Sequence, residues 1–284
     1  MDQAGVAMSL ISITYPGIWL SGSNVPPEET RRLARQCNEY GARMVADHKD
    51  RYGLFAVLPI PDIDGSLREL EYAFDTLKAN GVGVLSSYGD KWLGDPAFAP
   101  LWEELNRRHA IVFVHSNVPN CCTRGGSGAH RYLVPGVNNN VIEYQTDTTR
   151  AIMSLIVNQA SDRFPDVRFT FAHAGGTMPY LIERILGHED TLAKRLASPA
   201  QPHTRLYQLR RFYYDTANAN NPVDMGALKQ VVGASQILFG TDFPYEGATA
   251  VHLKDLKDCG VFGLGELQGV LHDNAARLLA PANA

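Results

Sequence analysis

Four side chains able to bind metal or move protons stand at the ends of short apolar runs. His115 closes Ala110-Ile111-Val112-Phe113-Val114, and His173 follows Phe169-Thr170-Phe171-Ala172. Asp215 follows Phe212-Tyr213-Tyr214, and Asp242 follows Leu238-Phe239-Gly240-Thr241. One histidine in such a place is ordinarily a hydrogen-bonded structural ring. Imidazole and carboxylate groups at four separate strand ends are instead the ligand set of a catalytic divalent metal, if the fold brings the strand ends to one mouth. Asp215 reads equally as an orienting group or a strand-end cap.

Aromatic residues occupy the same kind of position. Tyr15, Pro16 and Trp19 follow the first run, Tyr88 and Trp92 the third, and Phe243 and Tyr245 the last. Such rings suit an apolar pocket for a flat aromatic substrate, and ordinary loop packing is the competing reading. The long connection 116–140 reads as a lid, with His130 and Arg131 in reach of an anionic substrate. Arg150 reads as a helix-surface salt bridge, and His48 and His109 as solvated.

The elements that must position these groups alternate along the chain. Runs at 8–14, 54–59, 82–85, 111–115, 168–172, 211–215 and 237–240 read as strands. Several are continuously apolar, as suits a parallel sheet buried on both faces. Amphipathic helices lie between them. One opens at Pro26-Pro27-Glu28-Glu29, another spans 67–80 and ends at Gly81, and a third spans 141–160. This alternation implies an α/β fold, a (β/α)8 TIM-type barrel forming one domain over 1–284. Seven strands are counted, and Met1–Ala4 with Gly5 reads as the end of a helix. The expectation is therefore a barrel lacking its first β/α unit. An open doubly wound sheet would carry a Gly-rich phosphate loop, which Tyr15-Pro16-Gly17 is not. The two bare edges call for cover by another chain or a local rearrangement, so a homodimer or higher homo-oligomer is expected.

Composition narrows the partners. The 284 residues are 45% hydrophobic and 20% charged, an ordinary globular mix. Lys plus Arg is 26 against 30 for Asp plus Glu, giving a formal charge of -4 with no basic run, so no nucleic acid is expected. No apolar run is long enough for a membrane span. Cys37, Cys121, Cys122 and Cys259 form neither a disulfide framework nor a CxxC, and no signal-peptide pattern opens the chain. A reduced, cytoplasmic protein acting on a small molecule is expected.

Phe113-Val114-His115-Ser116, His173-Ala174-Gly175-Gly176 with Pro179 and Arg184, and Gly240-Thr241-Asp242-Phe243-Pro244 together resemble the amidohydrolase-related metal-dependent decarboxylases, the aminocarboxymuconate semialdehyde decarboxylase-like group. The stretches 75–83 and 87–96 are most similar to its 6-methylsalicylate decarboxylase branch, a group placed in secondary metabolism. The resemblance implies that His115 and Asp242 bind a divalent metal, Zn or Mn. It implies that His173 lies close enough to bind it or to pass a proton, with Asp242 also able to handle one. The rim aromatics read above, Tyr15, Trp19, Tyr88, Trp92 and Phe243, are the residues expected against a small aromatic carboxylic acid. The family's first strand supplies a further H-x-H or E-x-H pair, absent here: no two of the nine histidines are two apart. Weak metal occupancy is therefore expected. Some relatives place a Glu three residues beyond the counterpart of His173, where this chain has Gly176.

The implied chemistry is loss of CO2 from an o-hydroxybenzoate. It requires protonation of the ring carbon bearing the carboxylate, with a divalent cation orienting the acid. Two other readings share these residues: a metal-dependent hydrolase of a lactone or related ring, and a catalytically silent barrel.

Overall fold

The computed structural model describes residues 1–18, 25–118, 134–188, 190–245 and 247–280. The strands are β1 (Ser9–Ile11), β2 (Tyr52–Val57), β3 (Gly81–Leu85), β4 (Ser87–Tyr88), β5 (Lys91–Trp92), β6 (Ile111–His115), β7 (Arg168–Phe171), β8 (Tyr213–Asp215) and β9 (Ile237–Leu238). The helices of the first half are α1 (Pro27–Asp47), α2 (Ile63–Asp75), α3 (Ala99–Arg107), α4 (Asn139–Val157) and α5 (Ala160–Arg163). Those of the second half are α6 (Ile182–Leu186), α7 (Leu192–Ala197), α8 (Arg205–Leu209), α9 (Pro222–Val232), α10 (Thr249–Asp258), α11 (Leu264–Gln268) and α12 (Asn274–Leu279).

The seven expected strands form one sheet in the order β1-β2-β3-β6-β7-β8-β9, with every neighbouring pair parallel. The short antiparallel pair β4-β5 stands apart from it. Among the described residues no ladder joins β1 to β9, so the sheet is a curled half-barrel rather than a complete barrel. The curl is nonetheless strong, because Leu10 of β1 and Leu238 of β9 pack into one apolar cluster.

Period-two alternation divides the sheet's side chains. Phe55, Ile111, Phe113, Tyr213 and Leu238 gather on the inner face, with Leu278 and Leu279 of α12 against them. Phe55 and Phe113 stack at 5.7 Å there. Val82, Val84, Val112, Val114, Phe169, Phe171, Tyr214 and Ile237 belong to the larger outer core with the helices. Leu101, Trp102 and Leu105 of α3 are fully buried in that core. Each such side chain contributes about 1.5–3 kcal/mol by leaving water.

One helix differs from expectation. The spacing predicts 67–80, but α2 runs Ile63–Asp75. Asp62 supplies the reason: its side chain accepts from Gly65 N–H at 3.0 Å and starts the helix earlier. At the other end, Asn80 gives its N–H to Leu54 O (2.8 Å), and its Oδ1 accepts from Leu54 N–H (2.9 Å). Asn80 is thus tied to β2, and Gly81 opens β3 instead of capping a helix.

Candidate metal centre

Three of the four strand-end groups converge. One nitrogen each of His115 and His173 and one carboxylate oxygen of Asp242 lie within 4.8 Å of one another. The two rings meet edge to face at 5.3 Å, and His115 Nε2 is 3.6 Å from Asp242 Oδ1. Both histidines are buried, and Asp242 is mostly so.

Each imidazole is held from behind. His115 is the last residue of β6, and its Nδ1–H donates to Ser116 O at 2.9 Å. His173 Nδ1–H donates to Ala217 O at 3.2 Å. Only a protonated nitrogen can donate to a carbonyl, so in the neutral form of each ring Nε2 is the nitrogen left with the lone pair. Asp215 is the orienting group rather than a ligand: its Oδ1 accepts from His173 N–H (2.9 Å) and Ala217 N–H (3.0 Å). Burial raises its carboxyl above the usual carboxylate range, while His173 and the two N–H groups oppose that rise.

The backbone behind the site is unusual. His173 and Asp242 have φ of 55° and 52°, a left-handed conformation that costs side chains other than glycine about 1–3 kcal/mol. Gly176 has φ 68°, and a Cβ there would stand 2.0 Å from Gln145 O of α4. The third residue after His173 must therefore be glycine, which lets the turn approach α4 closely enough for Thr177 N–H to reach Gln145 O at 3.2 Å.

The donor set fits a divalent ion. Ligands sharing an ion at about 2.0–2.2 Å lie at most about 4.4 Å apart, so shifts of a few tenths of an ångström would complete the contacts. His115 and Asp242, with His173 within reach, leave further coordination positions open, as a catalytic site needs.

The aromatic residues separate into distinct places. Tyr15 is at the site, its ring 5.6 Å from that of Tyr144. Burial raises the phenols of both, and Tyr15, Asp242 and Tyr245 push Tyr144 further up. Both remain neutral hydrogen-bond donors through the ordinary pH range. Phe243 is 70% exposed. Tyr88 is buried, and its hydroxyl accepts from Leu85 N–H at 2.9 Å. Trp92 joins a polar network, its Nε1–H donating to Asp147 Oδ1 at 2.7 Å. Trp19, His130 and Arg131 lie outside the described residues, as does most of 116–140. His48 and His109 are exposed, as expected.

Asp147 was not foreseen as a buried group. It is fully enclosed, and its Oδ2 accepts from Ser86 Oγ (2.5 Å) and Ser87 Oγ (2.8 Å). Arg150 lies 3.8 Å from it, so the expected helix salt bridge has an interior carboxylate as its partner. Neighbouring bonds tie α4 to the ends of β3 and β6. Ser116 Oγ pairs with Thr148 Oγ1 (3.1 Å), Ser86 N–H donates to His115 O (2.8 Å), and Asn117 Nδ2 donates to Ser87 O (2.8 Å). Thr14 and Tyr144 were also missed. Thr14 Oγ1 lies 3.0 Å from each ring nitrogen of His115. Tyr144 could have been found, since it sits one helical turn before the buried Asp147 and Thr148.

A family model described as Amidohydrolase matches residues 20–280. A decarboxylase of Penicillium terrestre is 36% identical over 255 residues, covering 86% of this chain and 72% of that protein. The 6-methylsalicylic acid decarboxylase of Penicillium expansum is 33% identical over 247 residues, covering 85% of this chain and 72% of that protein. Among solved structures, a dihydroxybenzoic acid decarboxylase from a Polaromonas species holds manganese and the inhibitor 2-nitroresorcinol. It superposes with a TM-score of 0.79 at 20% identity, over 98% of this chain and 83% of that one.

Proposed function

The chain belongs to the amidohydrolase family, and from that premise we propose that it is a metal-dependent carboxy-lyase. It removes CO2 non-oxidatively from a small aromatic hydroxy acid, with 6-methylsalicylate the first substrate to try. The observation that carries this reading is the meeting of His115, His173 and Asp242 at one point beside the Tyr15–Tyr144 pair. The names of the relatives at 36% and 33% identity support the reaction class.

His115 and Asp242 would hold the ion, manganese or zinc, whose positive charge would bind and orient the substrate's carboxylate and neighbouring oxygen. Tyr15 and Tyr144 offer phenol hydrogens at the same mouth, suited to an anionic oxygen on a flat ring. Reaction needs a proton on the ring carbon that bears the carboxylate. His173 is placed for this: Ala217 O keeps its Nδ1–H, so Nε2 is the atom that takes up a proton from solvent, passes it to the ring carbon and is reprotonated from solvent for the next turnover. Asp215 fixes the His173 backbone and hence the direction of that transfer. Once the carbon is protonated, its bond to the carboxyl group breaks. The electron pair returns to the ring, CO2 leaves, and a phenol remains.

Incubation with salicylate or 6-methylsalicylate and Mn2+ or Zn2+, following CO2 and the phenol, tests this reading. Turnover that is lost in His173→Gln supports it. No phenol from either acid with either ion refutes it.

A further inference from the structure

A small hollow lies over the ends of β1, β2 and β3, and Leu85 in its wall is on the strand next to His115. It has a volume of about 10 Å3 and is lined by Ile13, Gly17, Ile18, Val57, Leu85 and Tyr88 among others. That is room for about one water-sized sphere, yet a buried water needs two to four polar partners. The side chains named are aliphatic apart from Tyr88, whose hydroxyl faces Leu85 N–H at 2.9 Å. The lining suits a methyl group better than a water.

Position matters as much as character. Leu85 is the register partner of His115 on the neighbouring strand. Strands stand roughly 4.8 Å apart, which is also about the reach between two substituents meta to each other on a benzene ring. A ring whose oxygen faces the His115 side of the metal centre therefore sets its meta substituent beside Leu85. Gly17 keeps the space open: it has φ 69°, and a Cβ there would meet Leu85 Cδ1 at 3.2 Å.

We propose that this hollow is the specificity subsite of the enzyme, receiving the single methyl group that stands meta to the metal-facing hydroxyl of a 2-hydroxy-6-methylbenzoate. The proposal rests on the decarboxylase reading above and adds to it which ring substituent is selected and by which residues. Leu85 and Val57 are its walls, and one methyl group is its capacity.

Calorimetry with unreactive ligands tests it apart from turnover. In 2-nitrophenol and 3-methyl-2-nitrophenol the nitro group stands in for the carboxylate and cannot leave as CO2. With Mn2+ present, the methylated ligand should bind at least about tenfold more tightly, the usual discrimination for one methyl group in a fitted pocket. Leu85→Phe fills the space from one wall, and Val57→Ile adds one methylene from another with little risk to folding. Each should reduce the ratio to about twofold or less. A wild-type ratio near one, or a ratio that both substitutions leave unchanged, overturns the subsite while leaving the decarboxylase reading intact. Binding of neither nitrophenol overturns both.

Discussion

Replacing Asp147 with alanine removes one acceptor group from three donors at once. Ser86 Oγ, Ser87 Oγ and Trp92 Nε1 all end on this carboxylate, at 2.5, 2.8 and 2.7 Å. A buried donor left without a partner costs about 1–3 kcal/mol. The serine hydroxyls can rotate toward other acceptors, whereas the indole N–H cannot, so the total loss expected for Asp147→Ala is about 3–5 kcal/mol. Asp147→Asn keeps an acceptor for Trp92 and presents an amide that rotated serine hydroxyls can accept from, so its cost should be about 1–2 kcal/mol. Acid adds a second signature. Burial raises the Asp147 carboxyl above the usual carboxylate range, with Ser86, Trp92 and Ser87 working against it. The folded protein therefore holds this proton more tightly than the unfolded chain does. By linkage, this group's contribution to stability declines as pH rises from the unfolded value of about 3.9 toward the raised folded one. Asn lacks that decline. Urea unfolding at a series of pH values, followed by tryptophan fluorescence, reads both effects. An alanine variant within 1 kcal/mol of wild type at an unchanged denaturant slope would refute the assignment of this network as an anchor of α4.

Three further outcomes follow from the geometry. His115→Ala and Asp242→Ala should each abolish binding of Mn2+ by calorimetry, whereas His173→Gln should retain most of it and lower turnover about 10^2–10^4-fold; unchanged occupancy in the first two would move the site elsewhere. Gly176→Ala places a methyl group against Gln145 O at φ 68° and should destabilise the fold by at least about 2 kcal/mol, read as a lowered melting temperature. Glu104 is held down to about 2 by Arg107 first and Arg108 as well. Its contribution is present above the unfolded glutamate value and is lost as pH falls toward 2. Because the pair is partly exposed, Glu104→Gln should remove no more than about 1 kcal/mol of acid-dependent stability, and a larger effect would contradict the surface placement.

The parallel strands were legible because their apolar runs are continuous, and a strand buried on both faces has little other way to be written. His115, His173 and Asp242 were legible for a related reason: each ends such a run, and a curled parallel sheet sends all those ends to one side. Asp147 was not. An acid in Asp147-Thr148-Thr149-Arg150 looks solvated, and nothing local records that two serines and an indole from 55–61 residues earlier in the chain converge on it. The hydrogen bond of Trp92 was hidden in the same way, since its partner Asp147 lies on α4. Tyr144 carried a weak signal in its helical spacing with Thr148. Thr14 carried none, because its contact with His115 spans 101 positions of sequence.

The apolar filling inside the curl has a consequence for how the protein is made. Leu10 and Leu278 pack in the same inner cluster, and Arg168 Nη1 donates to Leu278 O at 2.5 Å. On a ribosome adding about 5–20 residues per second, α12 emerges on the order of 10–50 s after β1. Until then Phe55, Ile111 and Phe113 face a hollow that nothing yet covers. The nascent chain thus passes through a long interval with a greasy concave surface on view. The helix α12 acts as the stopper that ends that exposure.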